Sequence, residues 1–506
     1  MKQQSIWQNI RGYFRPESET ITPAPSQKLR LSGRGVRIPV CEHRAYRIEM
    51  GKQVLYLCPD PVLADSAQSA QPGFILFDPD RYSKGIAHWQ RLSPGETLSI
   101  DRHIEYQEYV FSSPREAFRR HLSITHLYDA LVFRDPISEL GTYVSLIDGD
   151  RDVMNFTDRR LKALHRVVAV FGGVLEPLPA NKAIVVLKQV NHLLKNETCR
   201  PRDSFGNPGA YVELPDRLTP IVVGDLHAQV DNLLKILSEN SFMEELEKGD
   251  NLLKILSENS FMEELEKGTA ALVFLGDAVH PEEAGRLDAM DSSLLMMDLI
   301  FKLKLRFPAQ VFYIVGNHDS FSHDIMKQGV PQGLHWDKHV TASRGAEYRE
   351  ELELFYRQSP LAVISKDFFA CHAGPVRRKI SLETLANIRQ FPDLVHEMLW
   401  NRLKTRQFPA GYTRSDVSRF RKGLEAGSET PFIVGHHPVT SDGTLWLNAG
   451  HIRHHHIVIS ARPDRIGLIT RIDGRMVPQI YPAESLITWV NSRTRENRAN
   501  PVQATR

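Results

Sequence analysis

Ile221-Val222-Val223-Gly224-Asp225-Leu226-His227 ends an apolar, strand-like run on a carboxylate and an imidazole, and four later segments end in the same way. They are Val273-Phe274-Leu275-Gly276-Asp277, Tyr313-Ile314-Val315-Gly316-Asn317-His318-Asp319, Phe368-Phe369-Ala370-Cys371-His372 and Phe432-Ile433-Val434-Gly435-His436-His437. A buried strand followed by glycine lets the backbone turn sharply. The next side chain then projects into the crevice at the carboxyl ends of a sheet. Mixed oxygen and nitrogen donors suit Mn, Fe or Zn, and one carboxylate can bridge two such ions lying about 3.5–4 Å apart. One Gly-Asp-x-His alone could be a capped loop, but five such segments in series point to a two-metal site.

The segment from about Ala183 to Leu447 resembles the calcineurin-like metallophosphoesterases, and most closely their phosphoprotein phosphatase branch. Gly224-Asp225-Leu226-His227-Ala228-Gln229 is similar to the first family motif, with Ala where Gly is usual, and the other four segments follow in the family's order. The resemblance implies two divalent ions, with Mn preferred and Fe or Zn as alternatives. Asp225 and His227 would bind the first, Asp277 would bridge, and Asn317, His372 and His436 would complete the second. His437 is the alternative to His436, which has the family-like Gly-His-x-Pro spacing. The ions lower the pKa of a shared water, so hydroxide is available at neutral pH for in-line attack on phosphorus. His318 neighbours a ligand and points away from it, which makes it the expected general acid, with Asp319 expected to hydrogen-bond its ring and hold it protonated.

One departure bears on substrate. The family's phosphatase branch places x-x-Asp-Arg-Gly after the second Gly-Asp, and the arginine grips phosphate. Here the chain reads Asp277-Ala278-Val279-His280-Pro281-Glu282. Imidazole does not replace a bidentate guanidinium, so phosphate must be held from elsewhere. Arg414, in Tyr412-Thr413-Arg414-Ser415, stands where the family often has a second phosphate-binding arginine, and Arg377 and Arg453 are further candidates. His280 either partners His318 in place of the missing acid or is solvated.

The 506 residues include 63 basic and 61 acidic side chains, a net charge of +2, so there is no global electrostatic case for nucleic acid or an acidic membrane surface. Apolar residues make up 42%, enough for ordinary cores in more than one domain. Cys41, Cys58, Cys199 and Cys371 are unpatterned, which reads as a reducing compartment without a disulfide framework. No run approaches the ~20 apolar residues of a membrane span, and the amino terminus lacks a signal-peptide core. The expectation is a cytoplasmic protein.

Five regions follow: a flexible Pro/Ser/Thr-rich lead (1–30), a β-sandwich (31–150), a helical linker (151–178), the catalytic domain (179–487) and a polar, fraying tail (488–506). In the second region, short alternating segments such as Gln53-Val54-Leu55-Tyr56-Leu57 and Gly73-Phe74-Ile75-Leu76-Phe77 argue strands. The order of Arg102, Arg119, His121, Gly141 and Thr142 resembles a forkhead-associated (FHA) domain. That family reads phosphothreonine, but Phe118 and Leu140 stand where it has a serine and an asparagine. Two of three phosphate contacts are therefore missing, and the region is expected to be structural or to dock a protein partner.

The catalytic region alternates strands with amphipathic helices over 180–194, 292–305 and 347–356, and closes on strands over 445–448, 457–460, 465–472 and 476–480. The fold expected overall is an all-β, FHA-like sandwich followed by an α/β four-layer metallophosphoesterase sandwich. His451, His454, His455 and His456 invite a metal reading. Consecutive strand residues alternate faces, so crevice or surface histidines are expected instead.

Residues 231–249 and 250–268 are an identical tandem repeat of nineteen residues. Without one copy, the interval from Asp225 to Asp277 shrinks from 52 positions to 33, close to what one crossover helix and its turns need. One copy is thus surplus to the fold. The whole chain reads as a metal-dependent phosphatase acting on phosphoprotein Ser/Thr or Tyr, or on a small phosphoester. The rivals are a nucleotide phosphohydrolase or phosphodiesterase of the same superfamily, and a phosphopeptide-binding scaffold with a vestigial catalytic half.

Overall fold

The computed structural model describes residues 19–22, 27–31, 33–40, 45–50, 53–60, 73–77, 89–100, 122–135, 141–146, 162–239, 260–283, 285–438, 443–472 and 474–499. They divide into two compact units, one up to residue 146 and one from residue 162.

The first unit is all β. Its strands are β1 (Glu19–Thr20), β2 (Leu29–Arg30), β3 (Val36–Pro39), β4 (Tyr46–Met50), β5 (Gln53–Asp60), β6 (Gly73–Phe77), β7 (Trp89–Leu92), β8 (Thr97–Ile100), β9 (Leu122–Leu127), β10 (Ala130–Arg134) and β11 (Thr142–Leu146). They form two sheets, ordered β1-β3-β10-β9-β8 and β2-β11-β4-β5-β6-β7. Alternation sends every second residue of β4 and β9 inward, where Tyr46, Leu55, Phe74 and Val144 of one sheet join Ile38, Leu98, Ile124 and Phe133 of the other in one core. The Tyr46 ring sits 5.9 Å from Phe74 and 5.6 Å from Phe133. Arg102, Phe118, Arg119, His121 and Leu140 lie outside the described residues. Thr142 is buried on β11, in keeping with a structural role.

The second unit holds two further sheets. One runs β15 (Val311–Tyr313), β14 (Ala270–Phe274), β13 (Thr219–Val223), β21 (Arg465–Ile472), β22 (Arg475–Pro482). The other runs β12 (Tyr211–Glu213), β16 (Ala362–Ile364), β17 (Phe369–Cys371), β18 (Phe432–Val434), β20 (His455–Val458), β19 (Leu445–Trp446). Val222, Val273, Phe312 and Ile469 of the first pack on Val363, Ala370, Ile433 and Val458 of the second. Burying each Val, Ile or Phe among them contributes about 1.5–3 kcal/mol. Helices cover the outer faces, as on the six-stranded sheet, where Phe420 of the helix Arg414–Gly423 meets Phe369 and Phe432. The layering is the expected α/β sandwich.

Three details depart from the sequence reading. The carboxy-terminal strands, expected to close the second sheet, divide instead: β19 and β20 edge the six-stranded sheet, whereas β21 and β22 extend the five-stranded one. The 162–171 helix buries Ala163, Leu164, Val167 and Phe171 within the second unit. The expected fraying tail is a helix, Ile487–Ala499, whose Asn491 exchanges hydrogen bonds with the backbone of Leu175.

The crossover from β13 to β14 draws on both repeat copies. Its first helix, Val230–Ser238, uses the opening residues of copy one, and its second, Phe261–Lys267, uses the closing residues of copy two. Residues 231–239 and 260–268 supply eighteen of the nineteen repeat positions, none twice. The Phe261 N–H donates to Glu239 O at 2.6 Å, and Ser260 caps the second helix in a capping box with Glu263. The two copies thus share the crossover between them, and neither is employed whole among the described residues. Copy one is anchored by Asp231, which accepts from Leu486 and Ile487 N–H, and by buried Lys235, which pairs with Glu239 and Glu484.

Removing any nineteen consecutive residues between 231 and 268 yields the same shorter chain, which retains every anchored position. That deletion should leave metal binding intact and keep or raise the melting temperature, since every anchored contact is kept and a shorter connection costs slightly less closure entropy. Loss of the folded state in a thermal melt would show that both copies are integral.

Candidate metal centre

Five strand ends converge. Asp225 and His227 follow β13, Asp277 follows β14 and Asn317 follows β15, while His372 follows β17 and His436 follows β18. Strands β13, β14 and β15 are parallel to one another, as are β17 and β18, so their carboxyl ends open on one crevice. The glycines allow close approach. A Cβ on Gly316 would lie 2.2 Å from Asp277 Oδ1, and one on Gly435 would lie 2.2 Å from Asp225 Oδ1. Three of the candidate donors themselves sit in left-handed backbone, His227 at φ 42°, Asp277 at 50° and His436 at 58°. Each such residue costs of order 1–3 kcal/mol and persists only where the surroundings hold it, a strain that clusters at functional sites.

Two donor triads result, Asp225–His227–Asp277 and Asp277–His372–His436, with Asp277 common to both. Asn317 joins the second through its Oδ1, 2.9 Å from His372 Nε2. Backbone carbonyls orient the rings: His372 Nδ1 faces Leu275 O at 2.7 Å, and His227 Nδ1 faces His280 O at 3.2 Å. Each ring's Nε2 is thereby left for the centre. His437 turns both nitrogens to backbone carbonyls, of Pro438 and Leu403, so His436 is the histidine in the donor set.

Electrostatics fit divalent ions. Burial pushes the Asp225 carboxyl up to about 6. Asp277 is driven well above the carboxylate range, first by burial and then by repulsion from Asp225 and Asp319. Carboxylates this close and this dry carry an unneutralised cost that two dications would remove. The oxygen and imidazole set suits Mn, Fe or Zn.

His318 stands beside the triads. Its N–H donates to Asp277 Oδ1 at 2.8 Å, and its ring lines the cleft. Asp319 does not hydrogen-bond that ring, contrary to the expectation from sequence. Its Oδ1 accepts from Tyr313 Oη–H at 2.7 Å, and its Oδ2 from the N–H groups of Gly316 at 2.7 Å and Asp277 at 3.1 Å. The carboxylate is spent on fixing the loop, a use that residue spacing cannot reveal. The ring's partner is His280, with the two Nδ1 atoms 3.2 Å apart. Burial lowers both rings, His280 to about 3 and His318 well below the ordinary histidine value.

The cleft over the centre has a volume of about 420 Å³. None of the three arginines expected from sequence lines it. Arg414 donates to His451 O at 2.7 Å, Arg377 to Ala410 O at 2.5 Å, and Arg453 pairs with Glu429 at 3.1 Å. The cations that do line it are Lys327, Arg402 and Arg462, beside Glu282, whose Oε1 is 3.4 Å from His227 Nε2. No motif flags them, because each comes from a loop remote in sequence. Of the later histidines, His454 pairs with Glu429 at 2.8 Å, and buried His455 bonds Tyr412 Oη at 2.8 Å. No metal-donor cluster forms there among the described residues.

A family model for the calcineurin-like phosphoesterases matches residues 218–460. Among solved structures, a protein serine/threonine phosphatase from Saccharomyces cerevisiae with similarity to human phosphatase PP5 superposes with a TM-score of 0.44 at 16% identity, covering 61% of this chain and 91% of that one. The cold-active protein-tyrosine phosphatase of a psychrophilic Shewanella species gives 0.35 at 12%, over 54% and 83%. No helix among the described residues is long and apolar enough to cross a membrane.

Gly316→Ala should displace Asp277 through its Cβ and lower metal content as well as turnover. Metal analysis of the purified variant checks this; two ions retained per chain would show that the loop yields instead.

Proposed function

We propose that the chain, a metallophosphoesterase by the calcineurin-like domain at residues 218–460, hydrolyses phosphomonoesters with two divalent ions. The reading is carried by two donor triads sharing one carboxylate, Asp277. When bound, the ions supply Lewis acidity and a water of lowered pKa. Asp225 and His227 would hold one ion, Asn317, His372 and His436 the other, and Asp277 both. Manganese is the proposed metal, with iron or zinc compatible with the same donors.

The remaining work falls to side chains around the ions. His318 faces the cleft and gives a proton to the leaving oxygen, while His280 holds its ring from behind. Asp319 acts one step back, by fixing the loop that presents Asn317 and His318. The proposed substrate is a phosphorylated Ser, Thr or Tyr of a protein, as the motif resemblance implies. The lack of arginine after Asp277 favours a second reading, a nucleotide phosphohydrolase, and relative rates on phosphopeptide and nucleotide separate the two. The β-sandwich is proposed to be FHA-like and to dock a protein partner.

Asp277→Asn should abolish turnover and weaken both ions, because a neutral amide cannot bridge two dications. Near-normal activity with two metals bound would mean that the site is misassigned. His318→Ala should lower kcat by roughly 10²–10⁴-fold with metal content unchanged, and by less for p-nitrophenyl phosphate, whose leaving group needs little protonation. Equal losses for phenyl and p-nitrophenyl phosphate would remove His318 from the acid role.

A further inference from the structure

A second cavity, of about 660 Å³, opens on the catalytic unit and shares no lining residue with the cleft over the metal centre. Its walls are the end of the helix Ala180–Lys195, the loop 200–208, the end of the helix Ala346–Gln358 and the segment 386–390. Four cations line it, Lys195, Arg200, Arg357 and Arg389, against one acid, Asp203. That acid is engaged, since Asp203 Oδ1 accepts from the N–H groups of Phe205 at 2.9 Å and Asn207 at 2.8 Å. Buried Glu197 pairs with Arg200 at 3.4 Å but also with Lys304, so one carboxylate serves two cations.

Two of the guanidinium groups keep free donors. Arg389 gives Nε to Arg357 O at 3.0 Å and Nη2 to Ser359 O, which leaves Nη1 open, and the Arg357 side chain has no partner among the described residues. Desolvation, and after it the charge of Arg200, holds Arg389 down to about 10, so it stays protonated at neutral pH and gains from an anion beside it. Two further features ask for more than an anion. Asn191 is only 5% exposed, and its Nδ2 donates to Glu351 O at 2.9 Å and Glu351 Oε2 at 2.7 Å, which fixes the amide and leaves Oδ1 at the cavity wall without a partner. A buried acceptor in that state calls for an N–H or O–H donor. Phe205 lines the cavity yet is 74% exposed, on a loop that Asn387 and Gln390 tie down through Ser204.

We propose that this cavity binds a nucleoside monophosphate, at a site separate from the metal centre. The phosphate meets Arg357 and Arg389, the base stacks on Phe205, and an amino group of the base or a ribose hydroxyl donates to Asn191 Oδ1. Three unlike groups of one ligand thus answer three unlike features of the wall: a dianion for the surplus arginines, a flat π face for an exposed ring, and a donor for an orphaned acceptor. The volume falls within the roughly 300–1,000 Å³ of small-molecule sites.

The test titrates the full chain calorimetrically with adenosine 5′-monophosphate and, separately, with adenosine and with inorganic phosphate. Arg357 and Arg389 also line a groove that reaches Asn317, so each titration is run with manganese and again in EDTA, which removes phosphate binding at the metal centre. The nucleotide should bind in EDTA, roughly tenfold tighter than either adenosine or inorganic phosphate. Phe205→Ala and Arg357→Ala alter exposed side chains, and each should weaken nucleotide binding about tenfold, Phe205→Ala with no change in the affinity for inorganic phosphate. Nucleotide binding that vanishes in EDTA while the chain stays folded, that is no tighter than phosphate, or that is unchanged in both variants would overturn the proposal. If the metal-free chain does not fold, the manganese-loaded chain decides through Phe205→Ala, which lies outside both the cleft and the groove: unchanged nucleotide affinity there refutes the site.

Discussion

Asp277 is the residue through which the centre is assembled. Its carboxylate belongs to both donor triads and accepts the His318 N–H, its N–H donates to Asp319, and its carbonyl accepts from Leu226 and His227. One residue in left-handed backbone therefore joins the ends of β13, β14 and β15. The cost is an acidic group buried against another, which the His318 N–H offsets only in part and which dications would reverse. The two sheets meet so that this arrangement can form: β17 and β18 bring His372 and His436 to the far side of the carboxylates, and the His436 N–H donates to both oxygens of Asp225.

Around that centre, groups have been redistributed relative to the motif pattern. The segment after Asp277 supplies an imidazole and a glutamate in place of an acid and an arginine. His280 has taken the place behind His318, and Glu282 is occupied with Lys327. Positive charge enters instead from the loop carrying Arg402. Lys327, Arg402 and Arg462 line the cleft, so its cationic side chains come from other parts of the chain.

The repeat shows how a fold can use a redundant sequence. Two identical copies offer the crossover more than one way to complete its two helices, and packing selects by position. Asp231 and Lys235 are tied to the segment before the last helix, while Leu265 and Gln310 lock the second crossover helix beside β14. Nineteen-residue identity made a surplus evident, but identity alone could not tell which residues the fold would employ.

Much was legible in advance because it is local. Apolar runs ending in Gly-Asp, Gly-Asn or Gly-His state where strands stop and what chemistry follows, so the layered α/β sandwich, the β-rich first unit and the convergence of six candidate donors could be read from residue types and order. What depends on which loops meet could not. Asp319 beside His318 in sequence suggested a pair, yet three nearer donors claimed its oxygens. Arg377, Arg414 and Arg453 found backbone carbonyls or a glutamate elsewhere, and Arg402, in no motif, faced the carboxylates. Sequence by itself determined the candidate donors, because ligand chemistry and strand ends are local properties. Tertiary structure alone decided the partners of those donors and the cations over them, because hydrogen bonds and ion pairs between distant loops are settled only by where the folded backbone places them.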